Sequence, residues 1–112
     1  MKTFLTFSLL IVLNLKVFPQ YCTNDNRFTE KAVFTNDQIG TDQNVVYGSA
    51  ETMTGEIQEL IMNIYYPGIA FDTMSKRPLI VLMHGGMFLT GSMANLDSAC
   101  IEFARRGYVA AT

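Results

Sequence analysis

Arg77-Pro78-Leu79-Ile80-Val81-Leu82-Met83-His84-Gly85-Gly86-Met87-Phe88 decides how this 112-residue chain is read. Leu79 to Met83 are five apolar residues without polar alternation, introduced by a proline and closed by a glycine pair. A strand apolar on both faces belongs in the middle of a sheet covered on both sides, as in parallel α/β architectures. A buried helix is the alternative, but the run is too short for one. Downstream, Leu96, Ala99, Cys100, Phe103 and Ala104 fall at i, i+3, i+4, i+7 and i+8, a single helical stripe. Asn95 is a suitable N-cap, and Asp97 stands in the first turn, where the helix dipole favours a carboxylate. Arg105 and Arg106 follow in the last turn, and Gly107 is placed for a left-handed C-terminal cap. Tyr108-Val109-Ala110-Ala111 then opens another strand. Strand, glycine loop, helix and strand make a βαβ unit, whose crossover is expected to be right-handed.

Upstream, Val45-Val46-Tyr47 is a short β-prone run ended by Gly48-Ser49. Thr54-Gly55 signals a turn, and Ile57 to Tyr66 reads as a longer strand closed by Pro67-Gly68. In it Leu60, Met62, Ile64 and Tyr66 share one face, with Glu59 and Asn63 on the other. The two strands predict an antiparallel pair at the start of the sheet. Residues 21–44 are polar and read as an extended lead-in, leaving 45–112 as the folded portion. The fold class expected is α/β: an antiparallel start, then a βαβ unit of a mostly parallel sheet.

Residues 1–20 read as a secretory signal. Lys2 gives a positive start, and Phe4 to Leu15 is uncharged and largely apolar, yet shorter than the roughly 18–20 residues that cross a bilayer. The protein is therefore expected outside the cytoplasm, extracellular or periplasmic, with no stable membrane anchor once the signal is cleaved. Lys2 and Lys16 belong to that segment, so the remainder is acidic, which argues against nucleic acid as a partner. An oxidising compartment permits one disulfide, Cys22 with Cys100, which would staple the mature N-terminus to the domain. The competing reading makes Cys100 a small core residue on the apolar helix face. His84 is the single histidine, so no His cluster is available to a metal, and no cofactor is expected.

His84-Gly85-Gly86-Met87-Phe88 and Leu89-Thr90-Gly91-Ser92 connect strand to helix. Consecutive glycines after a strand let the backbone turn sharply with N–H groups aimed into open space, where they can meet negative charge on a substrate oxygen. A phosphate could use such a loop too, but the Rossmann and P-loop spacings are missing. A plain turn is the simplest reading.

This constellation resembles the oxyanion loop of carboxylesterases and related lipases of the α/β-hydrolase superfamily, where a strand runs into His-Gly-Gly-Gly-Phe and then a Gly-Ser pair. The resemblance runs from about Val45 to Thr112 and includes Arg77-Pro78-Leu79-Ile80-Val81 and Arg106-Gly107-Tyr108-Val109-Ala110. It is most similar to secreted bacterial carboxylesterase-like hydrolases. It implies that the backbone N–H groups of Gly86 and Met87 are the oxyanion donors, that Gly85 gives the turn its room, and that His84 holds the loop and is not a general base. An ordinary packed histidine is the other reading of His84. Where the family has a third glycine this chain has Met87, which keeps the N–H but adds a side chain that could line the acyl pocket. Phe88 is expected against the cleft or the core.

The resemblance implies a serine hydrolase acting on a small-molecule ester, and the rest of its machinery has no counterpart in the sequence. In the superfamily a G-x-S-x-G serine, an acid and a histidine follow the oxyanion loop in that order. The chain has no G-x-S-x-G, Ser92 sits in the wrong context, and no histidine follows His84. Ala111-Thr112 falls within an expected core strand. The expectation is an incomplete α/β-hydrolase fold, truncated before the nucleophile elbow and inactive alone. A catalytically inactive secreted binding module or pseudo-hydrolase is the alternative from another class. A related secreted serine peptidase or polyester depolymerase would use the same loop.

Overall fold

The computed structural model describes residues 26–86 and 91–112. The signal segment, Cys22, Met87 and Phe88 lie outside the described residues. Four strands and one α-helix follow in the order β1 (Ile39–Glu51), β2 (Ile57–Pro67), β3 (Leu79–Val81), α1 (Asp97–Ala104) and β4 (Val109–Ala111). The strands form one mixed sheet in the order β1-β2-β4-β3. β1 pairs antiparallel with β2, β2 antiparallel with β4, and β3 parallel with β4. This is a small mixed α/β arrangement. No helix among the described residues is long and apolar enough to cross a membrane.

The hairpin is longer than expected. β1 starts at Ile39, six residues before Val45, so polar Thr41 to Asn44 are strand and not lead-in. Their β structure comes from pairing with β2, not from propensity: Ile39 sits opposite Pro67 and Asp42 opposite Ile64. Register shifts fall between Asp42 and Val45 and between Val46 and Gly48. Asn44 occupies the first with φ 56°, a left-handed conformation that asparagine tolerates. Its N–H, turned out of the ladder, donates to the Asn63 side-chain oxygen at 3.0 Å.

The face of β2 under α1 is the one the periodicity assigned to polar residues. Asn63 and Tyr65 are buried there, while Met62, Ile64 and Tyr66 are half-buried on the opposite face. Tyr65, Cys100, Ala104 and Ala110 form the core, with Ile39, Leu82, Ile101 and Phe103 packed on it. Asn63 tolerates burial because its side chain is satisfied at both ends: the oxygen takes the Asn44 N–H, and Nδ2 donates to Asp97 Oδ1 at 3.3 Å.

β3 departs most from expectation. It is an outer strand of the described sheet, not a central one, and Leu79 and Val81 are 62% and 61% exposed. Ile80 turns to the helix side and is half-buried. The helix is also shorter than its apolar stripe. A 3-10 turn over Met93–Leu96 precedes it, capped by Ser92 and not by Asn95, with Ser92 Oγ accepting from the Ala94 N–H at 3.3 Å. Gly107 takes the left-handed conformation expected of it, φ 99°, and its N–H closes the helix on Ala104 O at 2.9 Å.

Residues 26–38 bind the C-terminal end of α1. The Phe28 N–H donates to Arg106 O at 2.7 Å, and the Val33 and Phe34 N–H groups both donate to Arg105 O. The Tyr108 hydroxyl donates to Phe28 O at 3.1 Å, with the two rings edge to face. The carboxylate of Asp72, almost fully buried, receives Arg27 Nη2 at 2.9 Å and Arg77 Nε at 3.2 Å. One carboxylate thereby ties this segment to the loop that delivers the chain to β3.

Candidate functional site

The connection from β3 to α1 begins at Leu82, whose N–H is still held by Ala111 O at 2.8 Å. The backbone then leaves the sheet, and Met83, His84 and Gly85 are exposed. His84 Nδ1 lies 2.9 Å from the carbonyl oxygen of Gly85. A carbonyl only accepts, so in this geometry Nδ1 carries the hydrogen and Nε2 is the acceptor of the neutral ring. Gly86 follows at φ 142° and Gly91 at φ 127°, both conformations that favour glycine. The structure thus brings His84, Gly85, Gly86 and Gly91 together. Met87, the second expected oxyanion donor, lies outside the described residues.

A cleft of about 420 Å³ opens beside His84, lined by Tyr47 and Ile61 from the hairpin, Val81 and Met83 from the β3 side, and Met93 from the 3-10 turn. The size falls in the usual range for small-molecule sites, and the wall is largely apolar. Apart from His84, no acidic or basic side chain among the described residues lines it.

Behind the loop, a polar cluster sits under the start of α1. Tyr65 is pushed up to about 12, first by burial and then by hydrogen bonding to the Asp97 carboxylate. It therefore stays protonated at neutral pH, a donor to Asp97 rather than an acid–base group. Burial also raises the Cys100 thiol, with the nearby Asp97 charge adding to it. Cys100 is a free thiol with no exposed surface, so it is a core side chain without nucleophilic character. The proposed partner Cys22 lies outside the described residues. Among the described residues no group of three His, Cys, Asp or Glu side chains is arranged to hold a metal ion.

Sequence reasoning proposed His84, Gly85, Gly86 and Met87 as site residues, and treated Gly91-Ser92 only as part of a motif. It missed the Asn63–Tyr65–Asp97 cluster, for which an alternating pattern with a polar residue at the core position was the only signal. No protein-family model matches the chain, and neither a curated protein nor a solved structure matches it.

Proposed function

We propose that this chain is the oxyanion-loop portion of a secreted carboxylic ester hydrolase of the α/β-hydrolase superfamily. The observation that carries the reading is the place of His84-Gly85-Gly86 in the chain. It leaves the end of the third strand and runs into the first helix, and α/β-hydrolases supply an oxyanion donor from that same connection. The mixed sheet, with an antiparallel start and a parallel β3–β4 pair, accords with the reading.

In the proposed mechanism a serine attacks the acyl carbonyl of a small-molecule ester. The backbone N–H groups of Gly86 and Met87, with one from the residue after the serine, stabilise the tetrahedral oxyanion. Each such donor is worth about 10²–10³ in rate, because it points at charge that develops only in the transition state. His84 orients the loop through Nδ1 and Gly85 O, and the apolar cleft beside it accepts an uncharged group of the ester. The serine, its acid and its histidine are supplied by sequence other than these 112 residues, which hold neither G-x-S-x-G nor a second histidine.

The purified 112-residue chain is expected not to turn over p-nitrophenyl butyrate. A protein expressed from the continuing reading frame is expected to hydrolyse it, and to lose the activity when its G-x-S-x-G serine becomes alanine. A stop codon directly after Thr112, together with a soluble, cooperatively folding monomer, would replace the enzyme reading with that of a binding module.

A further inference from the structure

The loop between β3 and α1 closes on itself at Gly91. A Cβ built on Gly91 would lie 2.6 Å from the Gly85 carbonyl oxygen and 2.6 Å from His84 Cε1, and would also collide with Nδ1. Two of those obstacles belong to a ring and one to the backbone, and the ring is already held by its bond to Gly85 O. Neither can swing aside without breaking that bond. The left-handed φ of 127° adds a second cost to any side chain at this position. Gly85 is the contrasting case, with nothing within 4 Å of the corresponding point. The next residue, Ser92, anchors the far end by capping the 3-10 turn. The Gly91-Ser92 pair thus fastens the end of the loop to its beginning on one side and to the helix on the other.

We propose that Gly91 is a positioning residue for the His84-Gly85-Gly86 turn: its missing side chain admits the imidazole and the Gly85 carbonyl, and so holds the ring in the Nδ1–H tautomer and the turn in one geometry. That this turn presents an oxyanion donor rests on the function proposed above; the positioning itself does not. Gly91 acts through His84 and Gly85 and touches no substrate.

The experiment reads the imidazole directly. Protein labelled with ¹⁵N in the histidine ring is observed at alkaline pH, where imidazole is neutral, and the His84 signal is assigned by its loss in His84→Gln. The wild type is expected to show a protonated, pyrrole-type Nδ1 and an unprotonated Nε2. It is also expected to show a nuclear Overhauser contact between Gly91 Hα and the ring Hε1. Gly91→Ala is expected to lose both, the ring reverting to the Nε2–H form that unrestrained histidine favours. Gly55→Ala is the control, since Gly55 is also left-handed at φ 84° but its added Cβ meets only Glu51 Oε1, at 3.6 Å. That variant is expected to keep the His84 signature. A missing Overhauser contact in the wild type overturns the proposal, as does a retained Nδ1–H signature in Gly91→Ala or equal loss in both variants. Should Gly91→Ala not fold, the wild-type contact decides alone. An inactive longer protein with an intact His84 signature would sink the esterase reading and leave this one standing.

Discussion

Replacing Asp72 by alanine tests whether one buried carboxylate holds the approach to the site. Asp72 Oδ1 accepts from Arg27 Nη2 at 2.9 Å and from the Met74 N–H at 3.0 Å, and Oδ2 accepts from Arg77 Nε at 3.2 Å. The Asp72 side chain is 1% exposed, against 21% for Arg27 and 12% for Arg77. Breaking a buried ion pair from one side costs about 3–5 kcal/mol, because charge is left behind in a poorly solvated place. Water reaches both guanidinium groups here, so the lower end applies, about 3 kcal/mol. With a urea slope of about 1–2 kcal/mol per molar for a chain of this size, the midpoint should fall by about 1.5–3 M. Arg77→Met in the same background should recover part of the loss by removing one stranded cation. Urea denaturation followed by circular dichroism reads both. A loss under about 1 kcal/mol for Asp72→Ala would place the cluster with solvent-exposed ion pairs, and Asp72 would then not fasten residues 26–38 to the strand leading into the site.

Further consequences follow from the core and the sheet. Asn63→Ala should cost about 1–3 kcal/mol, by stranding the Asn44 N–H and removing the Nδ2 bond to Asp97; an unchanged urea midpoint would mean that water replaces both bonds. Tyr65 binds its proton more tightly in the folded chain, about 12 against the ordinary 10, so its contribution to stability is complete below pH 10 and lost as pH rises from 10 to 12. The loss should approach about 2–3 kcal/mol and be absent in Tyr65→Phe, and equal slopes in urea titrations of the two proteins between pH 9 and pH 11.5 would refute it. In a Cys22→Ser background, Cys100 should resist a thiol reagent in native buffer and react fully in urea; rapid native labelling would contradict its burial.

The legible part of this fold is the part set by local chemistry. Gly107 ends the helix because its neighbours demand a left-handed turn, and a helical stripe followed by two arginines announces that demand. The turn at Gly55 and the antiparallel hairpin were legible for the same reason. Thr41 to Asn44 were not, since nothing in those side chains favours a strand and only the partner β2 makes them one. The burial of Asn63 and Tyr65 could not be read from alternation either: a period of two separates the faces without saying which meets the helix. At the site, the glycine pair marked the turn, but the role of Gly91 depends on a close approach between residues seven apart, which no spacing rule encodes.

β3 joins these points to function. Five apolar residues in succession specify a strand that is dry on both faces, yet Val81 stands 61% exposed at the outside of the described sheet. Polar substitution at an exposed position costs within about 0.5 kcal/mol, whereas loss of a buried valine side chain costs about 1.5–3 kcal/mol. Val81→Ser should therefore be almost silent in the 112-residue chain. Under the hydrolase reading, a longer protein adds structure beside β3, and the same substitution there should lower the urea midpoint clearly. It should also weaken esterase activity, since Val81 stands three residues before His84 and lines the cleft beside it. A large loss in the short chain would mean that Val81 is already covered. A silent substitution in an active longer protein would mean that β3 stays at the surface, and its apolar run would then need a reason other than burial.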